Sequence, residues 1–419
     1  MLQMTRRDIL KALSAAGIYG AAPFLPSRMV FAATPQAQPT LVVLHLRGGC
    51  DGLNFISPAN DPDFIAARTS ELRVESSGAT PGYALDNGPA PGLDFRLHNA
   101  AGGFAELYKQ KHLAFIHACG LPDKTRSHFV ATDIIERGGS SETDITRLDN
   151  GWLTRMIKAK GGSSPLQAVA VNGGISGDLD GLQYALAVPD VNNGLPYVGG
   201  PVVSTALWDM YAKYPGPVGD AGRLALQLPV VIDQKITRDV QGHVIPYQPE
   251  NNANYDSAGG FAGTLKSLAH LIKMDLGLQA ITLDYGGWDT HENQPGRFRG
   301  LMGPLSNGLA AFWNDIAAYQ DRVVVMMITE FGRRLRSNKS NGTDHGRAGV
   351  MAVLGGKVQG GKFYGAWPGL TSDKLEEGVD LAVTNDYRQV LAETVSYVTG
   401  QQNADIFPGY TPAGKLGIF

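Results

Sequence analysis

The sequence predicts an α/β fold, a mostly parallel central sheet with helices on both faces. Short apolar runs recur at Leu41–Leu46, Leu113–Ala118, Ala168–Val171, Ala280–Leu283, Val323–Ile328 and Val350–Leu354. They do not alternate with polar residues, which is how strands covered on both faces read. Between them run helical stripes. Leu301, Leu305, Leu309, Phe312, Ile316 and Tyr319 repeat at steps of three and four, as do Phe261, Leu265, Leu268 and Ile272. A further helix is expected from Ser127 to Arg137, and a last one from Asp386 to Val398, stopped by Gly400. Strands alternating with helices argue for the parallel sheet. The stretch 173–254 is rich in Gly, Pro, Asn and Asp and reads as an insertion or cap in a single domain spanning 40–419.

Composition removes several classes. The 53 glycines follow no three-residue period, which excludes a collagen-like chain. A net charge of −3 leaves no basic footprint for nucleic acid. Two cysteines exclude a disulfide scaffold and a Cys-rich zinc domain. For Cys50 and Cys119, a single bridge and two separate buried thiols both fit.

Residues 1–32 read as an address. Thr5-Arg6-Arg7-Asp8-Ile9-Leu10-Lys11 precedes an apolar run from Ala12 to Leu25, and Val30-Phe31-Ala32 offers a cleavage site. The run is shorter than the roughly 20 residues a membrane-spanning helix needs. The paired arginines resemble a twin-arginine signal, which the export machinery reads as it passes folded cargo. Cleavage removes Arg6, Arg7, Lys11 and Arg28 against Asp8 alone, so the exported chain is more acidic than the full one. The expectation is a periplasmic or extracellular protein with no stable membrane insertion after cleavage.

Ligands of open parallel sheets bind beyond the carboxyl ends of the strands. There the sequence places Arg47-Gly48-Gly49-Cys50-Asp51, then Arg126-Ser127-His128, then Asp289-Thr290-His291, then Glu330 and Arg333, and finally Asp344-His345 and Arg347. Carboxylates and imidazoles without thiolates suit one or two divalent ions, zinc, manganese or magnesium. Asp51, Asp289, His291, Glu330, Asp344 and His345 are the candidate ligands. Ser127, at a helix start, is the candidate nucleophile for phosphoryl or sulfuryl transfer. Arg126, Arg333 and Arg347 are candidates for holding the substrate anion. Each residue also suits a plainer role: Ser127 as a helix cap, Asp51 and Asp344 in turns, Asp289 with His291 as a loop hydrogen-bond pair, Glu330 in an ion pair. His45 lies mid-strand and reads as a core histidine, and His128 as a supporting or substrate-facing group.

The motifs Arg47-Gly48-Gly49-Cys50-Asp51-Gly52-Leu53-Asn54, Ser127-His128-Phe129, Gly287-Trp288-Asp289-Thr290-His291, Thr329-Glu330-Phe331-Gly332-Arg333 and Asp344-His345-Gly346 together resemble a bacterial family of exported proteins, domain-of-unknown-function family 1501. The resemblance extends over about residues 40–400. It implies an alkaline-phosphatase-like sheet, a two-metal centre and a hydroxyl nucleophile at a helix start, as in the alkaline phosphatase and sulfatase superfamily. By position, Asp51 resembles the first-strand metal ligand and Ser127 the nucleophile. Asp289 and His291 resemble the ligand pair of one metal, with Glu330 or Asp344, and His345, completing the centre. The sequence departs from that pattern in the tight Asp-x-His spacing at 289–291 and in the fourteen residues that separate Glu330 from Asp344. No Cys-x-Pro-x-Arg or Ser-x-Pro-x-Arg run is present, which favours a phosphate over a sulfate ester.

The leading expectation is a metal-dependent hydrolase of a small-molecule or polymer ester. The alternatives are transfer to an alcohol, and a metal-free scaffold that binds a cell-envelope polymer or partner protein.

Overall fold

The computed structural model describes residues 39–419 apart from 163, 165, 196–199 and 403. The expected export signal, 1–32, lies outside the described residues. In chain order the strands are β1 (Thr40–Leu46), β2 (Ile56–Pro58), β3 (Tyr83–Ala84), β4 (Phe95–Leu97), β5 (Leu113–Gly120), β6 (Ala168–Val171), β7 (Ala185–Val188), β8 (Ala280–Tyr285), β9 (Val323–Ile328), β10 (Gly349–Gly355), β11 (Phe363–Tyr364) and β12 (Asn385–Asp386). The central sheet has the order β11-β5-β10-β9-β1-β8-β6-β7, with β12 also on β5. The strands β2, β4 and β3 form a small antiparallel sheet beside it.

The sheet is parallel but for one strand. β1 pairs in parallel with β8 and β9, β6 with β7 and β8, and β5 with β11 and β12, whereas β10 runs antiparallel between β9 and β5. The carboxyl ends of β1, β5, β8 and β9 and the amino end of β10 therefore share one edge.

Both faces are buried, as the unalternating runs require. Val42, Leu44 and Leu46 of β1 join a core with the helices Ala262–Lys273 and Gln294–Asp315. Leu41 and Val43 point the other way, into a core with the helices His128–Arg137, Trp152–Lys160 and Tyr387–Thr399. The last of these is capped by Asp386, which accepts from Arg388 N, and ends at left-handed Gly400, as expected.

The segment expected as an insertion is partly built into the sheet. It supplies the edge strand β7 and the helices Gly200–Ala212 and Pro217–Asp233. Cys50 and Cys119 are both buried free thiols. Among the described residues no helix is long and apolar enough to cross a membrane.

Candidate metal centre

Three loops meet at the shared edge because glycines let their backbones touch. A Cβ on Gly48, whose φ is +116°, would lie 2.5 Å from the Asp289 amide nitrogen, so only glycine allows the loops after β1 and β8 to pack there. Trp288, fully buried, fastens the contact. Its amide donates to Arg47 O at 3.2 Å and its indole to Tyr285 O at 3.0 Å. The connection from β9 to β10 folds back on itself. Gly332 N donates to Arg347 O, Gly346 N to Gly332 O and Arg334 N to Asp344 O, so Arg333 faces His345 in an antiparallel bridge. Residues fourteen apart in sequence thus return to one place.

The result is a cluster of lone pairs. His345 Nδ1 lies 2.9 Å from Arg126 O, and His291 Nδ1 lies 3.0 Å from Asp344 Oδ1. Carbonyl and carboxylate oxygens only accept, so each Nδ1 carries a proton, and in the neutral imidazole each Nε2 keeps its lone pair. The two Nε2 atoms are 2.9 Å apart and lie 3.2 Å (His345) and 3.1 Å (His291) from Asp289 Oδ1. His128 follows the same rule. Its Nδ1 meets Glu330 Oε1 at 2.7 Å, while its Nε2 is buried without a hydrogen-bond partner, 3.6 Å from Asp289 Oδ2.

These residues fit a divalent ion. Four ligand atoms at about 2.0–2.2 Å around zinc sit roughly 3.3–3.6 Å apart, close to the spacings seen here. His128, Asp289 and His345 offer ligand atoms within 4.8 Å of one another.

Electrostatics sort the carboxylates into roles. Burial pushes the Asp289 carboxyl up, but the Arg333 guanidinium, 2.5 Å away, holds it down at about 2. Burial likewise opposes ionisation of Glu330 and Asp344, and their hydrogen bonds to His128 and His291 keep both below the usual range. Glu330 raises the His128 imidazole in return.

Not every expected residue joins the cluster. Asp289, His291 and His345 converge. Glu330 and Asp344, expected as ligands, sit one bond further out and fix imidazole tautomers. Glu330 is also occupied by Gly48 N at 2.8 Å and Thr329 Oγ1 at 3.1 Å. Asp51, expected as a first-strand ligand, is fully buried and ion-paired to Arg68 at 2.6 and 3.1 Å. It also accepts from Gln294 Nε2 at 2.7 Å and caps the helix Gly52–Phe55.

The arginines expected on substrate are engaged with protein. Arg333 donates to the carbonyls of Gly48, Gly49 and Thr343 as well as to Asp289. Arg347 donates to the carbonyls of Leu121, Pro122 and Asp123 and to Glu376. Arg126 pairs with Asp380 and Glu377. Ser127 is exposed at the N-cap of the helix His128–Arg137 and makes no capping bond.

His128 is the residue that sequence reasoning undervalued. Its only local signal is its place beside Ser127 at a strand-end helix start. Its orienting partner, Glu330, lies 202 residues away.

Beside the cluster opens a cleft of about 610 Å³, lined by Arg47, His128, Phe129, Glu136, Asp289 and Glu330 among others.

Residues 257–399 match DUF1501, described as a protein of unknown function. The DUF1501 match spans Asp289, His291, Glu330, Asp344 and His345, a narrower reach than the expected 40–400, and leaves Asp51 and His128 outside. No curated protein matches the chain. Solved structures do. A protein in the alkaline phosphatase superfamily from Vibrio parahaemolyticus matches at 10% identity, with 88% of this chain and 68% of that chain covered and a TM-score of 0.39. Alkaline phosphatase from the Antarctic bacterium TAB5 matches at 9% identity, with 87% and 99% covered and a TM-score of 0.32. A 2-O GAG sulfatase matches at 11% identity, with 91% and 73% covered and a TM-score of 0.34.

Proposed function

We propose that this protein is an exported, metal-dependent hydrolase of phosphate esters, with sulfate esters as the second substrate class. One observation carries the reading. His291 and His345 each commit Nδ1–H to an acceptor and turn a bare Nε2 toward Asp289, so three lone-pair donors face one another beside a cleft. A divalent cation takes lone pairs from all three groups at once, and second-sphere acceptors of this kind are what orient imidazole ligands.

Asp289, His291, His345 and His128 would hold the ion. A divalent cation bound there would supply positive charge against the negative charge of the ester. Arg333, saturated by carbonyls, fixes Asp289 rather than the substrate.

In the reaction, ester and water give alcohol and phosphate. The bond from phosphorus to the leaving oxygen breaks and that oxygen takes a proton. The new bond forms first to Ser127 Oγ, whose hydroxyl is free of the helix cap and gives up its proton; water then attacks phosphorus, the Oγ–phosphorus bond breaks and Oγ regains a proton. Export rests on the Arg6-Arg7 signal and is tested by Arg6→Lys with Arg7→Lys, which strands the protein in the cytoplasm.

The deciding experiment measures metal in the exported protein, purified without chelator, together with hydrolysis of a panel of phosphate and sulfate monoesters. Bound zinc, manganese or magnesium and cleavage of a phosphate ester are expected. Ser127→Ala abolishes turnover, and a rate within a few-fold of wild type assigns the attack to water instead. A folded protein that takes up no metal and cleaves no ester is the metal-free binding scaffold.

A further inference from the structure

A second group of ligating side chains lies behind the other wall of the cleft. His45, Glu136 and Asp178 are all buried, and they offer one ligand atom each within 4.8 Å of one another. They come from three separate elements: His45 from β1, Glu136 from the last turn of the helix His128–Arg137, and Asp178 from the 3₁₀ turn Gly177–Leu179. His45 Nε2 is 2.6 Å from Asp178 Oδ2, and Asp178 is fully buried. Its second oxygen, Oδ1, has no hydrogen-bond partner. A buried carboxylate oxygen left bare is costly unless something occupies it.

The local charge points the same way. Arg47 is the facing guanidinium, 2.5 Å from Glu136 and 3.0 Å from Asp284, so one guanidinium is shared between these two carboxylates. Burial, and after it the charge of Asp178, raises the Glu136 carboxyl. The remaining contacts, Gly177 N to Glu136 Oε2 at 3.1 Å and Ser176 Oγ to Asp178 Oδ2 at 3.2 Å, leave Asp178 Oδ1 untouched.

We propose that His45, Glu136 and Asp178 form a second divalent-cation site, distinct from the Asp289 centre and sharing its cleft. One imidazole nitrogen with two carboxylate oxygens suits zinc or manganese. His45 is then a ligand rather than the core histidine its mid-strand position suggests. Because Arg47, Glu136, Ser176 and Gly177 line the cleft together with His128 and Asp289, the two cations flank one volume, and an anionic substrate placed there meets positive charge from two sides.

The test titrates the metal-stripped, full exported chain with manganese chloride and counts bound ions by electron paramagnetic resonance, with zinc uptake by elemental analysis alongside. Asp178→Asn is expected to bind one equivalent fewer than wild type, Asp289→Ala to lose a different equivalent, and the double variant to lose both. Glu136→Gln repeats the measurement with less disturbance should Asp178→Asn not fold. Anomalous diffraction from a manganese-soaked crystal then locates the ion beside Asp178 Oδ1. Undiminished stoichiometry in both folded single variants overturns the proposal and leaves a buried proton-sharing pair. The Asp289 centre stands or falls separately, on the equivalent lost in Asp289→Ala.

Discussion

Asp51 and Asp289 occupy equivalent places and have opposite fates. Each follows a central strand, β1 or β8, at the same edge of the sheet. Asp51 is met by donors: two guanidinium nitrogens of Arg68, the Gln294 amide, and the amides of Leu53 and Asn54. Asp289 has one guanidinium contact and otherwise faces imidazole nitrogens that carry lone pairs. A carboxylate surrounded by donors is a finished structural unit. One surrounded by acceptors is half of a site. Residue type at a strand end does not distinguish the two, and the protonation state of the neighbours does.

Exchanging the two roles by mutation tests the contrast. Asp289→Ala is expected to remove an ion outright, with ester hydrolysis falling at least ~10²-fold if the ion stabilises the transition state, while the metal-free protein loses less stability than in Asp51→Ala, because Arg333 keeps its bonds to the carbonyls of Gly48, Gly49 and Thr343. Asp51→Ala should do the reverse. It strands the Arg68 guanidinium in the core, which costs about 3–5 kcal/mol for a broken buried pair, read by urea denaturation, and the folded fraction keeps its metal stoichiometry. Equal loss of metal in both variants would erase the distinction.

Glu330→Gln leaves His128 in place but weakens the acceptor on its Nδ1, so a roughly 10- to 100-fold loss of metal affinity is expected without loss of fold. Smallest is the stability change in Ser127→Ala. A capping hydroxyl is worth about 0.5–2 kcal/mol. Ser127 makes no cap bond, so its removal should shift stability by only a few tenths of a kcal/mol. A full-sized capping loss would mark Ser127 as a structural residue.

The strands were legible because burial on both faces writes itself as unbroken Val, Ile and Leu, and the helix around Leu305, Leu309 and Phe312 because its stripe is regular. The direction of β10 was not. Val350–Leu354 reads the same whether it pairs parallel or antiparallel, since both of its faces are buried in either case. The helix Pro217–Asp233 escaped because Pro217, Gly219, Gly222 and Pro229 interrupt its pattern, although Pro217 sits at a first-turn position that tolerates it.

At the site, the edge and the residue types could be read from strand ends alone. Which carboxylate ligates and which orients could not, because those roles are set by contacts between distant segments: Arg68 with Asp51, Glu330 with His128, Arg126 O with His345. Ser127 and the three arginines were picked out for chemistry that suits a substrate, and the arginines turned out to be held by carbonyls and carboxylates of the protein itself.

The reversed course of β10 has an evolutionary corollary. Because that strand runs against its neighbours, the segment from Thr329 to Ala348 leaves and re-enters the sheet at a single rim, carrying Glu330, Arg333, Asp344 and His345 as one cassette. Lengthening such a closed excursion costs little, about 0.6 kcal/mol for each doubling of loop length. Residues added between Arg334 and Asp344 would therefore leave the anchoring rungs Arg334–Asp344 and Gly332–Gly346 to hold the register. The cassette is a natural unit for grafting between relatives, and a place where new specificity can be grown without rebuilding the sheet.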